Sequence, residues 1–168
     1  LFTHQGISGP AILQISSYWT EKKAIAVDLL PGLDLAVHLK EQKDYRPKAE
    51  LATILSSLLP RNFVRAMCET YLPNRTISML SIKELDAIIG TLKAWTLNPC
   101  GTEGYLKAEV TLGGVDTTGL SSKTMEAVQV TGLFFIGEAV DVTGPLGGYN
   151  FQWAWSSGWV AGAALTGA

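Results

Sequence analysis

Cysteine and histidine are scarce in this sequence: two of each among 168 residues. Cys68 and Cys100 stand far apart, without C-x-x-C spacing and without a histidine cluster nearby, which argues against a zinc site and against a disulfide framework. An excess of positive charge is also lacking. Thirteen Lys and Arg face fifteen Asp and Glu, a net charge of −2, and no basic cluster matches what a phosphate-backbone binder needs, so a nucleic-acid partner is not expected. The chain opens Leu1-Phe2-Thr3-His4, with neither an initiator Met nor a basic-then-apolar signal segment, and reads as a chain entered midway. The most apolar stretch, 151–168, falls short of the roughly 20 residues a membrane span needs and is interrupted by Ser156, Ser157, Gly158 and Gly162. A buried helix in a cytoplasmic protein is the expectation there.

What is present is local patterning. Ser8-Gly9-Pro10 precedes Ala11, Ile12 and Ile15, which predicts a helix with proline in its first turn, ending near Trp19. Ala24 to Leu30, closed by Pro31-Gly32, reads as a strand and turn, followed by a helical or irregular segment to about Glu41. From Pro47 the period becomes helical. Leu51, Ile54, Leu55, Leu58 and Leu59 share a face until Pro60; Phe63, Val64, Met67 and Tyr71 share another until Pro73. Ser81 and Glu84 form an S-x-x-E capping box ahead of Leu85, Ile88, Ile89 and Leu92. Lys93 to Leu97 and Tyr105 to Thr111 are strand candidates, expected to pair with 24–30. Residues 1–110 thus form a β-rich unit with a helical excursion over about 47–93. After Gly113-Gly114 the composition turns to glycine and aromatics, marking a domain boundary.

The chemistry is expected in GLFFIGEAVDVTGPLGGYNFQWAWSSGWVAG, Gly132 to Gly162. It reads as an apolar strand at Leu133 to Ile136, an acidic loop, a double glycine and a final helix starting near Gly148 or Tyr149. A glycine-lined helix start leaves backbone N–H groups unpaired and presents the positive end of the helix dipole. Such an end stabilises electron-rich ligand atoms, for instance the pyrimidine side of a reduced flavin, while Asp141 accepts hydrogen bonds from sugar-like hydroxyls. The helix has two faces: Phe151, Trp155 and Trp159 on one, Ala154, Gly158, Ala161 and Leu165 on the other. Plain core packing also accounts for the body of that helix, though not for the Gly147-Gly148-Tyr149-Asn150 loop before it.

These blocks carry a resemblance. TLGGVDTTGLSSKTMEA from Thr111, GLFFIGEAVDVTG and GGYNFQWAWSSG resemble the closing motifs of the BaiN-like (YhiN-like) NAD(P)/FAD-dependent oxidoreductases, and THQGISGP resembles the segment opening that family's inserted domain. The resemblance implies an α+β fold: a barrel-like inserted domain over 1–110, then the carboxy-terminal part, 111–168, of an FAD domain of the two-dinucleotide-binding type. It implies that Gly137, Glu138 and Asp141 lie along the ribityl and pyrophosphate of FAD. Gly147, Gly148, Tyr149 and Asn150 would then meet the isoalloxazine, with Thr111, Gly113 and Gly114 at the crossover near the flavin. NADH or NADPH is the implied electron donor, and a small molecule the implied substrate. The family's amino-terminal G-x-G-x-x-G turn is missing, so the chain alone is expected to be inactive and not to retain FAD. An uncovered 133–136 edge invites self-association or a rearranged carboxy-terminal segment.

No side chain stands out as catalytic acid or base, and no metal site is indicated. His4, beside the Gly6 to Gly9 turn, is a weak candidate for substrate contact against the commoner role of a hydrogen-bonding residue at a helix start. His38 lies in a polar stretch and reads as solvated; Cys100 reads as a turn residue. Two rivals to the oxidoreductase reading stay open: a non-catalytic interaction or substrate-covering module, and a stand-alone small-molecule binder.

Overall fold

The computed structural model describes residues 1–167. The chain folds as two compact units, Lys22–Cys100 on one side of the division and Leu1–Glu21 with Gly101–Ala168 on the other.

The Lys22–Cys100 unit is mostly helical. Strand β1 (Ile25–Val27) is followed by helices α2 (Leu35–Tyr45), α3 (Leu51–Leu55), α4 (Arg61–Thr70) and α5 (Ile82–Lys93), then strand β2 (Trp95–Leu97). The strands pair antiparallel with Ile25 opposite Leu97, so the helices are an excursion between two adjacent strands. Three of these four helices start where the chemistry of the residues at their amino ends dictates. Asp34 caps α2 by accepting from the Val37 amide at 3.1 Å, and Pro60 opens α4. The predicted capping box is complete: Ser81 and Glu84 each accept the other's backbone N–H.

The leucine and isoleucine periodicity becomes the core. Leu35, Leu39, Ile54, Leu55, Ile88 and Leu92 are all buried to within 1% exposure, each contributing about 1.5–3 kcal/mol by leaving water. Lys93 ties the strands to this bundle. Its ammonium pairs with Asp28 at 2.7 Å and donates to the Leu30 carbonyl at 2.9 Å, and that contact holds the Asp28 carboxyl below its ordinary pKa. His38 on α2 differs from the solvated side chain expected: its Nε2 is buried and has no hydrogen-bond partner among the described residues. Burial also pushes the Cys68 thiol up, whereas Cys100 is exposed.

The second unit holds α1 (Pro10–Ser16), two single 3-10 turns and α6 (Tyr149–Thr166). Three expectations are corrected here. Tyr105 to Thr111 forms no strand; Tyr105 and Leu106 stand 85% and 95% exposed, with no packed face to hold a ladder. Leu133 to Ile136 is not a strand either. Phe134 makes one isolated bridge, to Glu126, because among the described residues no neighbouring strand lies ready to continue it. The final helix is not buried all round: Phe151, Trp155 and Trp159 are each 75% exposed. Its small face is the packed one, with Ala161 and Ser157 buried and Gly158 against Ile136. The sheet is accordingly smaller than a β-rich reading anticipates, two strands of three residues, within a mixed helix-and-sheet fold. Among the described residues no helix is long and apolar enough to cross a membrane.

Candidate functional site

The glycine-rich block folds around the amino end of α6. Gly148 is the N-cap in the left-handed conformation, with φ 93°, and Gly147 before it has φ 114°; both suit glycine because a Cβ is disfavoured there. No side chain caps the helix, so its first-turn amides have no side-chain acceptor. Gly147, Gly148 and Tyr149 are exposed, and a Cβ placed on Gly148 would meet open space. The loop is pinned from its flanks. Asn150 accepts the Gly144 amide at 2.7 Å and donates to the Gly144 carbonyl at 3.1 Å, and Gln14 of α1 accepts the Leu146 amide at 3.0 Å. The Asn150 side chain therefore serves the loop's shape.

The acidic motif is brought against the Thr111 to Val115 segment. Val115 donates to the Ala139 carbonyl at 2.8 Å and accepts from the Asp141 amide at 2.9 Å, a single parallel bridge flanking Val140. Glu138 accepts from the Thr111 amide, so its carboxylate is spent on holding two segments 27 residues apart together. Gly114 is required by contact: a Cβ there would lie 2.6 Å from the Ala139 carbonyl oxygen and 2.9 Å from the Asp141 nitrogen. Gly113 shows no such crowding, though its φ is 90°. Asp141 is exposed, and its carboxylate makes no hydrogen bond among the described residues.

Gly137 has a packing role. Its amide donates to Ser157 Oγ at 2.9 Å and its carbonyl accepts from Trp153 Nε1 at 2.9 Å, so both backbone groups are engaged by α6. Ser157 in turn donates to the Trp153 carbonyl at 2.7 Å. Ser157, Trp153 and Gln14 escaped the sequence reading. The one available signal was a serine inside a glycine- and alanine-rich helix, where a hydroxyl commonly bonds back to the i−4 carbonyl. His4 lies apart in an exposed turn where Thr3 Oγ1 accepts the Gln5 and Gly6 amides.

Of the ten predicted positions, the fold gathers Thr111, Gly113 and Gly114 with Glu138 and Asp141, and sets Gly147 to Asn150 at the open helix start. Among them the carboxylate of Asp141 and the first-turn amides of α6 have no side-chain partner among the described residues. Hydroxyl recognition by a carboxylate and stabilisation of electron-rich atoms by helix-terminal amides are what such groups do.

A family model described as "HI0933-like protein barrel and H2TH domain" matches residues 1–110, and the chain belongs to this HI0933-like family. It is similar to the ribosomal RNA dihydrouridine synthases of Escherichia coli (51% identity over 98% of this chain) and Haemophilus influenzae (48% over 99%), covering 42% of each. It is also similar to the 3-dehydro-bile acid delta(4,6)-reductase of Clostridium scindens, at 32% identity over 96% of this chain and 42% of that protein. The chain thus spans less than half the length of the curated relatives it matches.

Proposed function

We propose that the full-length protein is an FAD-dependent oxidoreductase that saturates a carbon–carbon double bond, and that its substrate is a uracil base of ribosomal RNA. The open amino end of α6 carries the cofactor half of this reading: left-handed glycines, exposed first-turn amides and no side-chain cap. The two relatives near 50% identity, both named ribosomal RNA dihydrouridine synthase, support the substrate half. Dihydrouridine differs from uridine by two hydrogens across one ring double bond, and the bile acid reductase is also named for its action at double bonds. One chemistry, delivery of a hydride and a proton to an activated alkene, serves both names.

FAD, when bound, supplies the hydride after its own reduction by NADH or NADPH. The chain's part is positional. The amides of Gly148 to Asn150 would hold the pyrimidine side of the ring and favour negative charge there. Asp141 would accept a ribityl hydroxyl, while Glu138 and Gly114 keep the crossover in register. The remainder of the full-length protein would cover the Phe151, Trp155 and Trp159 stripe and supply the pyrophosphate grip that this chain lacks.

A second reading has an observation of its own: the 32% relative acts on a small steroid-like molecule, and bulk charge does not favour RNA. The experiment that separates them is to purify the full-length protein, identify its released flavin, and incubate it with NADPH and unmodified ribosomal RNA. Dihydrouridine detected by mass spectrometry of the nucleosides supports the RNA reading. Bound FAD with reduction of small enones but no dihydrouridine supports the second, and absence of flavin removes both in favour of a non-catalytic module.

A further inference from the structure

The net charge of −2 averages over two units of opposite sign. The Lys22–Cys100 unit carries eleven of the thirteen Lys and Arg against eight acidic residues, a balance of +3; the other unit carries two basic residues against seven acidic, a balance of −5. A polyanion is therefore repelled by the unit that bears the candidate flavin site and attracted by the helical one. Within the helical unit several cations are already engaged: Arg75 with Glu84, Lys93 with Asp28, and Lys43 with the Leu80 carbonyl. Arg61 and Arg65 are not. They sit four residues apart on α4, which places them on one face; both are exposed, and neither makes an ion pair among the described residues. α4 is anchored by Val64 and Met67, 2% and 3% exposed, so the two guanidiniums are presented from a fixed helix. Arg46 and Lys48, in the loop before α3, are exposed and unpaired as well.

We infer that the Lys22–Cys100 unit is the RNA-holding part of the enzyme, with Arg61 and Arg65 of α4 contacting backbone phosphates. The inference rests on the ribosomal RNA reading above and adds to it where the polyanion is held. Guanidiniums bind phosphate oxygens in a forked geometry and release condensed counterions as they do so. Contacts of this kind fix the position of the RNA without reading its sequence. An acidic unit that must act on a polyanion needs the anchoring charge to come from elsewhere in the protein, and this unit has it.

The test uses the full-length enzyme, a ribosomal RNA fragment as probe, and two double variants: Arg61→Ala/Arg65→Ala in the basic unit and Lys107→Ala/Lys123→Ala in the acidic one. Binding is measured across a salt series, with flavin content, flavin reduction by NADPH and thermal midpoint followed alongside. The arginine pair should weaken RNA binding on the order of tenfold and make the plot of log affinity against log salt shallower by about 1.5 to 2, leaving flavin content and reduction unchanged. The lysine pair should leave binding at the wild-type level. Wild-type RNA binding and dihydrouridine formation with an unaltered salt slope in the arginine variant overturns this inference and leaves the substrate reading standing. A wild-type enzyme that neither binds nor modifies the RNA overturns both.

Discussion

The Gly137 amide donates to the Ser157 hydroxyl at 2.9 Å across twenty residues of sequence. That bond, with the Trp153 indole on the Gly137 carbonyl, welds the acidic loop to the body of α6 and so sets where the open helix start stands relative to Asp141. Removing the hydroxyl leaves a buried donor unpaired. Ser157→Ala should destabilise the full-length protein by about 1–3 kcal/mol, read as a lowered urea midpoint with unchanged slope, and should lower flavin retention with it.

Gly113 and Gly114 are neighbours with different demands. Both have positive φ, but only at Gly114 does a Cβ strike backbone, the Ala139 oxygen at 2.6 Å. Gly114→Ala should therefore displace the Val115 bridge and loosen flavin in the full-length protein. Gly113→Ala should cost only the left-handed backbone penalty of about 1–2 kcal/mol. Equal effects of the two on thermal midpoint would contradict the close approach.

Acid should weaken the helical bundle through Glu84. The Ser81 backbone and hydroxyl hold its carboxyl below the ordinary carboxylate range, with Arg75 adding to the effect. Because the folded-state pKa is depressed, the stabilisation is present above the unfolded pKa near 4.3 and disappears as pH falls through the folded value. Thermal midpoints of wild type and Glu84→Gln, measured from pH 7 downward, should converge below about pH 4. A gap that stays constant over that range would be against it.

Leucine truncation should separate core from surface. Leu92 is fully buried and Leu106 is 95% exposed. Leu92→Ala should cost about 2–5 kcal/mol, while Leu106→Ala should fall within about 0.5 kcal/mol. Denaturant unfolding of the two variants makes the comparison directly.

What the sequence made legible was whatever is decided locally. The Ser81-Glu84 box, the break at Pro60 and the start of α6 at Gly148-Tyr149 are each fixed by a few adjacent residues, and each is found where their chemistry puts it. Two strands expected at 24–30 and 93–97 are present in shortened form and pair with each other, but the other two were not of this kind. Tyr105 to Thr111 and Leu133 to Ile136 have strand-like composition, but a ladder needs a partner brought from elsewhere, and composition cannot supply one. The same limit hid the roles inside the site. Nothing local distinguishes Glu138, tied to the Thr111 amide, from Asp141, whose carboxylate is open; nor does it disclose that Gly137 serves Ser157. Net charge is a sum of the same non-local kind: it runs over two units whose balances differ in sign.

The central claim is that the first-turn amides of α6 receive the flavin ring. A crystal structure of the full-length protein with FAD bound decides it. At least one amide nitrogen of Gly148, Tyr149 or Asn150 should lie about 2.7–3.2 Å from N1 or O2 of the isoalloxazine. A ring seated elsewhere, with those amides facing solvent or protein atoms alone, would contradict the account.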